Sequence, residues 1–252
     1  MDLKDQTVLI TGAGRGFGAA IAKAFAREGA FVAINYRRSR ERAEMLAESL
    51  GPKVRAFHAD VTDAAAVKAM LAEAKSTLGP VTTLVHNALA DYSFNGDARD
   101  TIETLSVEAL NNQYTTAVTG AVNSIQAALP DMEAAGFGRV ILIGSNLVQN
   151  PVVPYHDYTA AKAALLALTR TASRDLGPKG VTVNMVSGGL LRTTDASAAT
   201  PDAVFDFIAE STPLRSVTTP EEAADAVLFF ASPWARAVTG QNLIVDGGLV
   251  CN

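Results

Sequence analysis

The sequence predicts an α/β protein with a parallel, doubly wound sheet. Three observations carry that expectation. Short, nearly all-apolar β-branched runs alternate with longer helical stretches along the chain. The first run leads into a glycine-rich turn and then a helix. No Pro/Ser/Gly-rich linker, charge block or internal repeat divides the 252 residues, so a single domain spanning 1–252 is expected.

Strands are expected at 7–10, 31–34, 54–57, 82–85, 140–143, 181–186 and 243–245. They lack polar alternation, as strands covered on both faces do. Helices are expected at 18–28, 40–50, 64–78, 106–135, 157–176 and 220–231, with Ile21 and Phe25 on one face of the first. Repeated β-α-β crossovers build one parallel sheet with helices on both faces. The stretch 187–213 reads as irregular, with a short helix near 203–209.

Composition narrows the function. Hydrophobic residues make up 48% and charged residues 19%, which suits a folded globular chain. A net charge of −5 gives no bulk reason to bind nucleic acid or an anionic membrane, and no stretch is apolar for long enough to span a bilayer. Nucleic acid and membrane are therefore not expected partners. Cys251 stands alone, which excludes an intrachain disulfide and makes the cytoplasm the expected location. The polar start offers no secretory leader. His58, His86 and His156 lack metal-ligand spacing, so no metal is expected. His58 and His86 read as packing residues near strand ends, and His156 as a residue of a pocket rim or the surface.

Ligands of open parallel sheets bind beyond the carboxyl ends of the strands. After the first strand comes Thr11-Gly12-Ala13-Gly14-Arg15-Gly16-Phe17-Gly18. Such a turn lets backbone N–H groups approach a pyrophosphate, with a helix N-terminus behind them. The second strand runs into Asn35-Tyr36-Arg37-Arg38, with no Asp or Glu between 31 and 40. An acid there would hold ribose hydroxyls. Arg15, Arg37 and Arg38 would instead surround a 2′-phosphate, which points to NADP(H). The other reading is a solvated basic turn opening a surface helix. After the third strand lies Asp60-Val61, where a carboxylate could meet an adenine amino group or serve as a helix cap in competition with Thr62 and Asp63. Asn87-Ala88 follows the fourth strand. The fifth ends at Gly144-Ser145, followed by Tyr158 and Lys162, which share a helix face.

In this order the motifs resemble the short-chain dehydrogenase/reductase family over almost the whole chain. T-G-x-x-x-G-x-G is matched from Thr11 to Gly18, and N-N-A-G by His86-Asn87-Ala88-Leu89. The serine and Y-x-x-x-K are Ser145, Tyr158 and Lys162. V-N-x-V-x-P-G-x-x-x-T corresponds to Val183-Asn184-Met185-Val186-Ser187-Gly188-Gly189 and on to Thr193. T-G-Q-x-x-x-V-D-G-G is complete from Thr239 to Gly248. In style the chain is most similar to the 3-oxoacyl-acyl-carrier-protein reductases.

The resemblance implies a Rossmann fold with a seven-stranded parallel sheet. It implies NADP(H)-dependent reduction of a ketone or 3-oxoacyl carbonyl to an alcohol by hydride transfer. The substrate would be a small carbonyl or alcohol compound, an acyl thioester among them. Ser145, Tyr158 and Lys162 would be catalytic, Lys162 would also hold the nicotinamide ribose, and Gly188, Gly189 and Thr193 would flank the cofactor. A homotetramer is implied, with contacts expected from 106–135, 157–176 and 243–252. Two alternatives stay open: an alcohol, sugar or steroid dehydrogenase working oxidatively, and a cofactor-binding protein of low activity.

A carbonyl oxygen gains negative charge as hydride arrives, so it needs a proton donor and a hydrogen-bond donor. Tyr158 is the expected proton donor, with its pKa lowered by the Lys162 ammonium. Three departures from the pattern matter most. Ala117 stands where the family has an Asn whose main-chain carbonyl holds a water linked to the lysine. Ala117 could keep that carbonyl available or lose the helix distortion that exposes it. Leu89 for Gly is expected to narrow the cofactor groove, and Gly188 for Pro to loosen its loop. Loops 89–104 and 190–213 should line the substrate pocket, with Phe205 and Phe207 either covering substrate or packing.

Overall fold

The computed structural model describes the chain except Asp91, Ser93 and Asn252. Those residues belong to the expected pocket loop 89–104 and contact segment 243–252, and lie outside the described residues.

Seven parallel strands form one sheet in the order β3-β2-β1-β4-β5-β6-β7. They are β1 (Thr7–Ile10), β2 (Phe31–Tyr36), β3 (Val54–His58), β4 (Thr83–His86), β5 (Gly138–Ser145), β6 (Val181–Gly188) and β7 (Asn242–Val245). The helices are α1 (Gly16–Arg27), α2 (Arg40–Leu50), α3 (Ala64–Leu78), α4 (Val107–Tyr114), α5 (Gly120–Ala135), α6 (His156–Leu176), α7 (Asp202–Ser211) and α8 (Pro220–Ala231).

Side-chain alternation along the strands feeds two cores. Val8 and Ile10 of β1 join Val32 and Ile34 of β2 against α1 and α8. Leu9 and Ala33 point the other way, into a core shared with α3, α5 and α6. Ile21 and Phe25 are wholly buried on the first face. Each such side chain is worth roughly 1.5–3 kcal/mol of burial.

The expected helix 106–135 is not continuous. A π turn at Thr115–Thr119 separates α4 from α5, and the Gly120 N–H reaches back five residues to the Thr115 carbonyl. One extra residue leaves the apolar spacing on either side intact, so the pattern does not reveal it. The fourth strand sits one residue later than expected, which brings His86 into the sheet. β5 and β6 run on to Ser145 and Gly188, which pair with each other. Gly188 also pairs with Val245. Gly188, where the sequence led one to expect a looser loop, is thus the last residue of β6, placed between β5 and β7.

The strand order reverses between β1 and β4. A crevice opens beyond the carboxyl ends of the strands at such a point.

Candidate active site

The glycine-rich turn is built by close approach. Gly12 has φ 63°, and a Cβ there would lie 2.9 Å from the Ala88 Cα. A Cβ on Gly18 would lie 2.6 Å from both Asn87 Nδ2 and the Gly12 oxygen. Hydrogen bonds tie the same strand ends together. Thr11 Oγ1 accepts the N–H groups of Asn87 and Ala88, each at 3.0 Å. Asn87 Nδ2 donates to the carbonyls of Thr11 and Gly12, each at 3.1 Å. The turn thus presents bare backbone at the start of α1, a cradle that side chains would fill and that fits a pyrophosphate.

A cleft of about 210 Å³ runs over this turn. Of the expected cofactor residues, Gly12, Arg15, Gly16, Phe17, Asn35, Arg37, Arg38, Asp60, Val61, Asn87 and Ala88 line it. Gly14 lies against Ser39 and Ala43 instead, and Gly18 against Asn87. Gly189 lines a second cavity, described below, and Gly188 and Thr193 line neither. Leu89, expected to narrow the groove, is one of the residues lining the cleft. Tyr36, Tyr92, Thr194 and Asp195 also line it and carry no motif signal.

The cleft is electrostatically organised. Arg15 and Arg42 both contact Asp195 Oδ2, at 3.1 and 2.6 Å. Arg37 pairs with Asp60 at 3.4 Å. Burial pushes the Asp60 carboxyl up, but the Thr62 N–H and hydroxyl and the Arg37 guanidinium outweigh it and hold the group below the usual carboxylate range. Asp60 does not cap α3. Asp63 does so, accepting from the N–H groups of Ala65 and Ala66. Asp60 is left in the cleft wall.

The second cavity, about 290 Å³, is mostly apolar, with Phe94, Val153, Tyr155 and Ile208 among its walls. Both expected pocket loops contribute to it. Phe205 is buried elsewhere and Phe207 is exposed, because α7 turns Val204 and Ile208 toward the cavity.

Ser145 and Tyr158 share this wall. Ser145 ends β5, its Oγ accepts the Leu147 N–H at 3.3 Å, and it interacts with the Tyr158 hydroxyl. Tyr158 lies in the first turn of α6 and Lys162 one turn on, and both are buried. Lys162 Nζ donates to the Ile143 carbonyl at 2.7 Å and sits 5.5 Å from the Tyr158 ring centroid. Tyr92 stacks on Tyr158 at 5.2 Å, linking the cavity to the cleft, and Phe94 meets Tyr158 edge-on at 5.3 Å.

The expected direction of the Tyr158 shift is corrected. Burial pushes the phenol up to about 12, with Ser145 drawing it partly back and no lowering from Lys162. Burial also pulls Lys162 down to about 8. A dry site disfavours both charged forms.

At Ala117 the helix is distorted into a π turn without an asparagine side chain. Ala117 packs with Val118 and Ala161, so the turn lies against α6 next to Lys162. Of the histidines, His58 is exposed with Nε2 3.1 Å from the Arg37 oxygen, His156 opens α6, and His86 is buried. Among the described residues no group of His, Cys, Asp and Glu could hold a metal, and no helix is long and apolar enough to cross a membrane.

Comparison with known proteins agrees with this geometry. The family model described as enoyl-(acyl carrier protein) reductase matches residues 12–250. The 3-oxoacyl-[acyl-carrier-protein] reductase FabG of Staphylococcus aureus is 35% identical over 250 residues, covering 97% of this chain and 98% of that one. Nodulation protein G of Azospirillum brasilense is 34% identical, covering 98% and 99%. A dehydrogenase/reductase from Sinorhizobium meliloti superposes with TM-score 0.88 at 34% identity, covering 99% and 97%. A double variant of a short-chain dehydrogenase/reductase from Serratia marcescens gives 0.87 at 34%, covering 100% of both chains. With the motifs, the sheet and these likenesses in agreement, the chain belongs to the short-chain dehydrogenase/reductase family of oxidoreductases.

Proposed function

We propose that this chain reduces the carbonyl of a neutral, largely apolar ketone or 3-oxoacyl thioester with NADP(H). The observation that carries the reading is the burial of Ser145 and Tyr158 in the wall of an apolar cavity, with Lys162 buried one helical turn behind and Tyr92 stacking Tyr158 against the glycine-rich cleft. The bound nicotinamide supplies the hydride. Tyr158 holds the proton that the new alkoxide takes, and Ser145 Oγ donates to the carbonyl oxygen. Lys162, with a pKa brought near 8, carries or releases charge next to the phenol within the working pH range. Arg15, Arg37 and Arg38 in the cleft favour the 2′-phosphate of NADP(H), and the end of β2 offers no acid to hold a free 2′-hydroxyl.

The wider reading is a one-domain, cytoplasmic homotetramer. The two cores share one sheet, which supports a single folding unit. Ile102, Val107 and Tyr114 around α4 and Trp234 beyond α8 are exposed, which suits faces that pack on other subunits. The test is NADPH oxidation with ethyl acetoacetate, the N-acetylcysteamine thioester of acetoacetate and an aryl ketone, beside titration of both nicotinamide cofactors. Turnover of at least one carbonyl with NADPH is expected. Cofactor binding without turnover across the panel would refute the reductase reading.

A further inference from the structure

His86 ends β4 with 1% exposure and takes no part in the proposed proton or hydride transfer. Its hydrogen bonding fixes its tautomer. Thr11 Oγ1 lies 3.2 Å from Nδ1. The same oxygen accepts the N–H groups of Asn87 and Ala88. A hydroxyl has one proton and two lone pairs. Both lone pairs are taken, so the proton goes to Nδ1, and the imidazole carries its own hydrogen on Nε2. Nε2 has no hydrogen-bond partner among the described residues. A buried donor left unpaired costs about 1–3 kcal/mol.

The ring faces the π turn. The Thr116 and Ala117 carbonyls act on the ring as acceptors that favour its protonated form, though neither meets full hydrogen-bond geometry at Nε2. A Cβ on Gly120 would come within 3.2 Å of His86 Cε1. The turn has an acceptor to spare. Gly120 pairs with Thr115 five residues back, and the residue that this pairing inserts leaves one carbonyl without a helical donor. Lys162 converges on the same place. Its partner Ile143 follows Leu142, which pairs in register with His86, and Ala117 packs on Ala161.

We propose that His86 is a positioning residue: its Nε2–H, oriented by Thr11, holds a carbonyl of the π turn, directly or through one water, and so fixes the turn beside Lys162. Burial, and then the nearby Lys162 charge, push the ring down to about 3, so the donor stays constant at working pH. The inference rests on the role proposed for Lys162.

Two measurements on the full chain test it. The first is NMR of the protein labelled with ¹⁵N in its three histidines, followed over the span from about pH 5.5 to about pH 8. One histidine, identified by its loss in His86→Asn, should keep a protonated Nε2 and a bare Nδ1 throughout. A protonated Nδ1, or titration within that span, overturns the proposal. The second compares His86→Asn, which retains an N–H donor, with His86→Leu, which does not. With NADPH and ethyl acetoacetate, His86→Leu should lose about tenfold or more in kcat, while His86→Asn stays within about threefold of wild type. The Kd for NADPH should move by less than about threefold in both. Full activity in His86→Leu, or equal loss in the two variants, overturns the proposal. A wild type that reduces no ketone defeats the reductase reading, while the tautomer still decides the state of His86.

Discussion

Lys162 Nζ donates to the main-chain carbonyl of Ile143 at 2.7 Å. The charge of α6 is thereby tethered to the strand that ends, two residues later, in Ser145. Serine, lysine and tyrosine are positioned by one strand–helix pair, and burial acts on all of them together.

That tether has a signature in stability. Lys162 falls from 10.5 to about 8 in the fold because burial disfavours its charge. Between those values the unfolded chain holds a proton that the native chain has released. Its contribution to stability therefore rises with pH across that window, by at most ~1.4 kcal/mol per unit. Urea unfolding of wild type and Lys162→Met at several pH values should show the wild type gaining on the variant between pH 8 and pH 10. A constant difference would contradict the buried, lowered lysine.

Cofactor choice should depend on the arginines after β2. Charge-assisted hydrogen bonds are worth about 1.5–3 kcal/mol. The double variant Arg37→Ala with Arg38→Ala should weaken NADPH binding by roughly 10- to 100-fold and change NADH binding by less than about threefold. Calorimetric titration of both cofactors checks this. Tighter binding of NADH than NADPH by wild type would contradict it.

Two glycines should respond in opposite ways. A Cβ at Gly18 would press on the Gly12 oxygen at 2.6 Å and the Ala13 Cα at 2.8 Å, both main chain. Gly18→Ala should cost about 1–3 kcal/mol. A Cβ at Gly188 would meet only Leu191 Cδ2, at 3.8 Å. Gly188→Ala should stabilise by about 0.4–1 kcal/mol through the unfolded state. Urea midpoints of the two variants decide the order.

The π turn already supplies the distortion at Ala117. Ala117→Asn should therefore change kcat by less than about threefold. A gain of about tenfold, near 1.4 kcal/mol of barrier, would show that the wild-type turn is incomplete without the side chain.

The parts of the site that demand one residue type are legible in the sequence. Gly12 is required where a chain must approach Ala88, and Tyr158 and Lys162 stand one helical turn apart. What depends on distant packing is not legible. Asp195 meets Arg15 only because the segment after β6 folds over the first turn. The register of α7 decides which residues line the cavity: it gives that place to Val204 and Ile208, buries the more conspicuous Phe205 elsewhere and leaves Phe207 exposed. The proximity of Lys162 to Tyr158 is readable from spacing, but the burial that raises the phenol is a property of the aromatic wall around it.

Turnover of one ketone by wild type and Tyr158→Phe, with NADPH binding measured on the same samples, bears most directly on the proposed chemistry. The phenol is the only proton source the proposal assigns, and general acid catalysis is typically worth ~10²–10⁴ in rate. Tyr158→Phe should bind NADPH as wild type does and lose that factor in kcat. A Tyr158→Phe protein that reduces the ketone as fast as wild type would contradict the account.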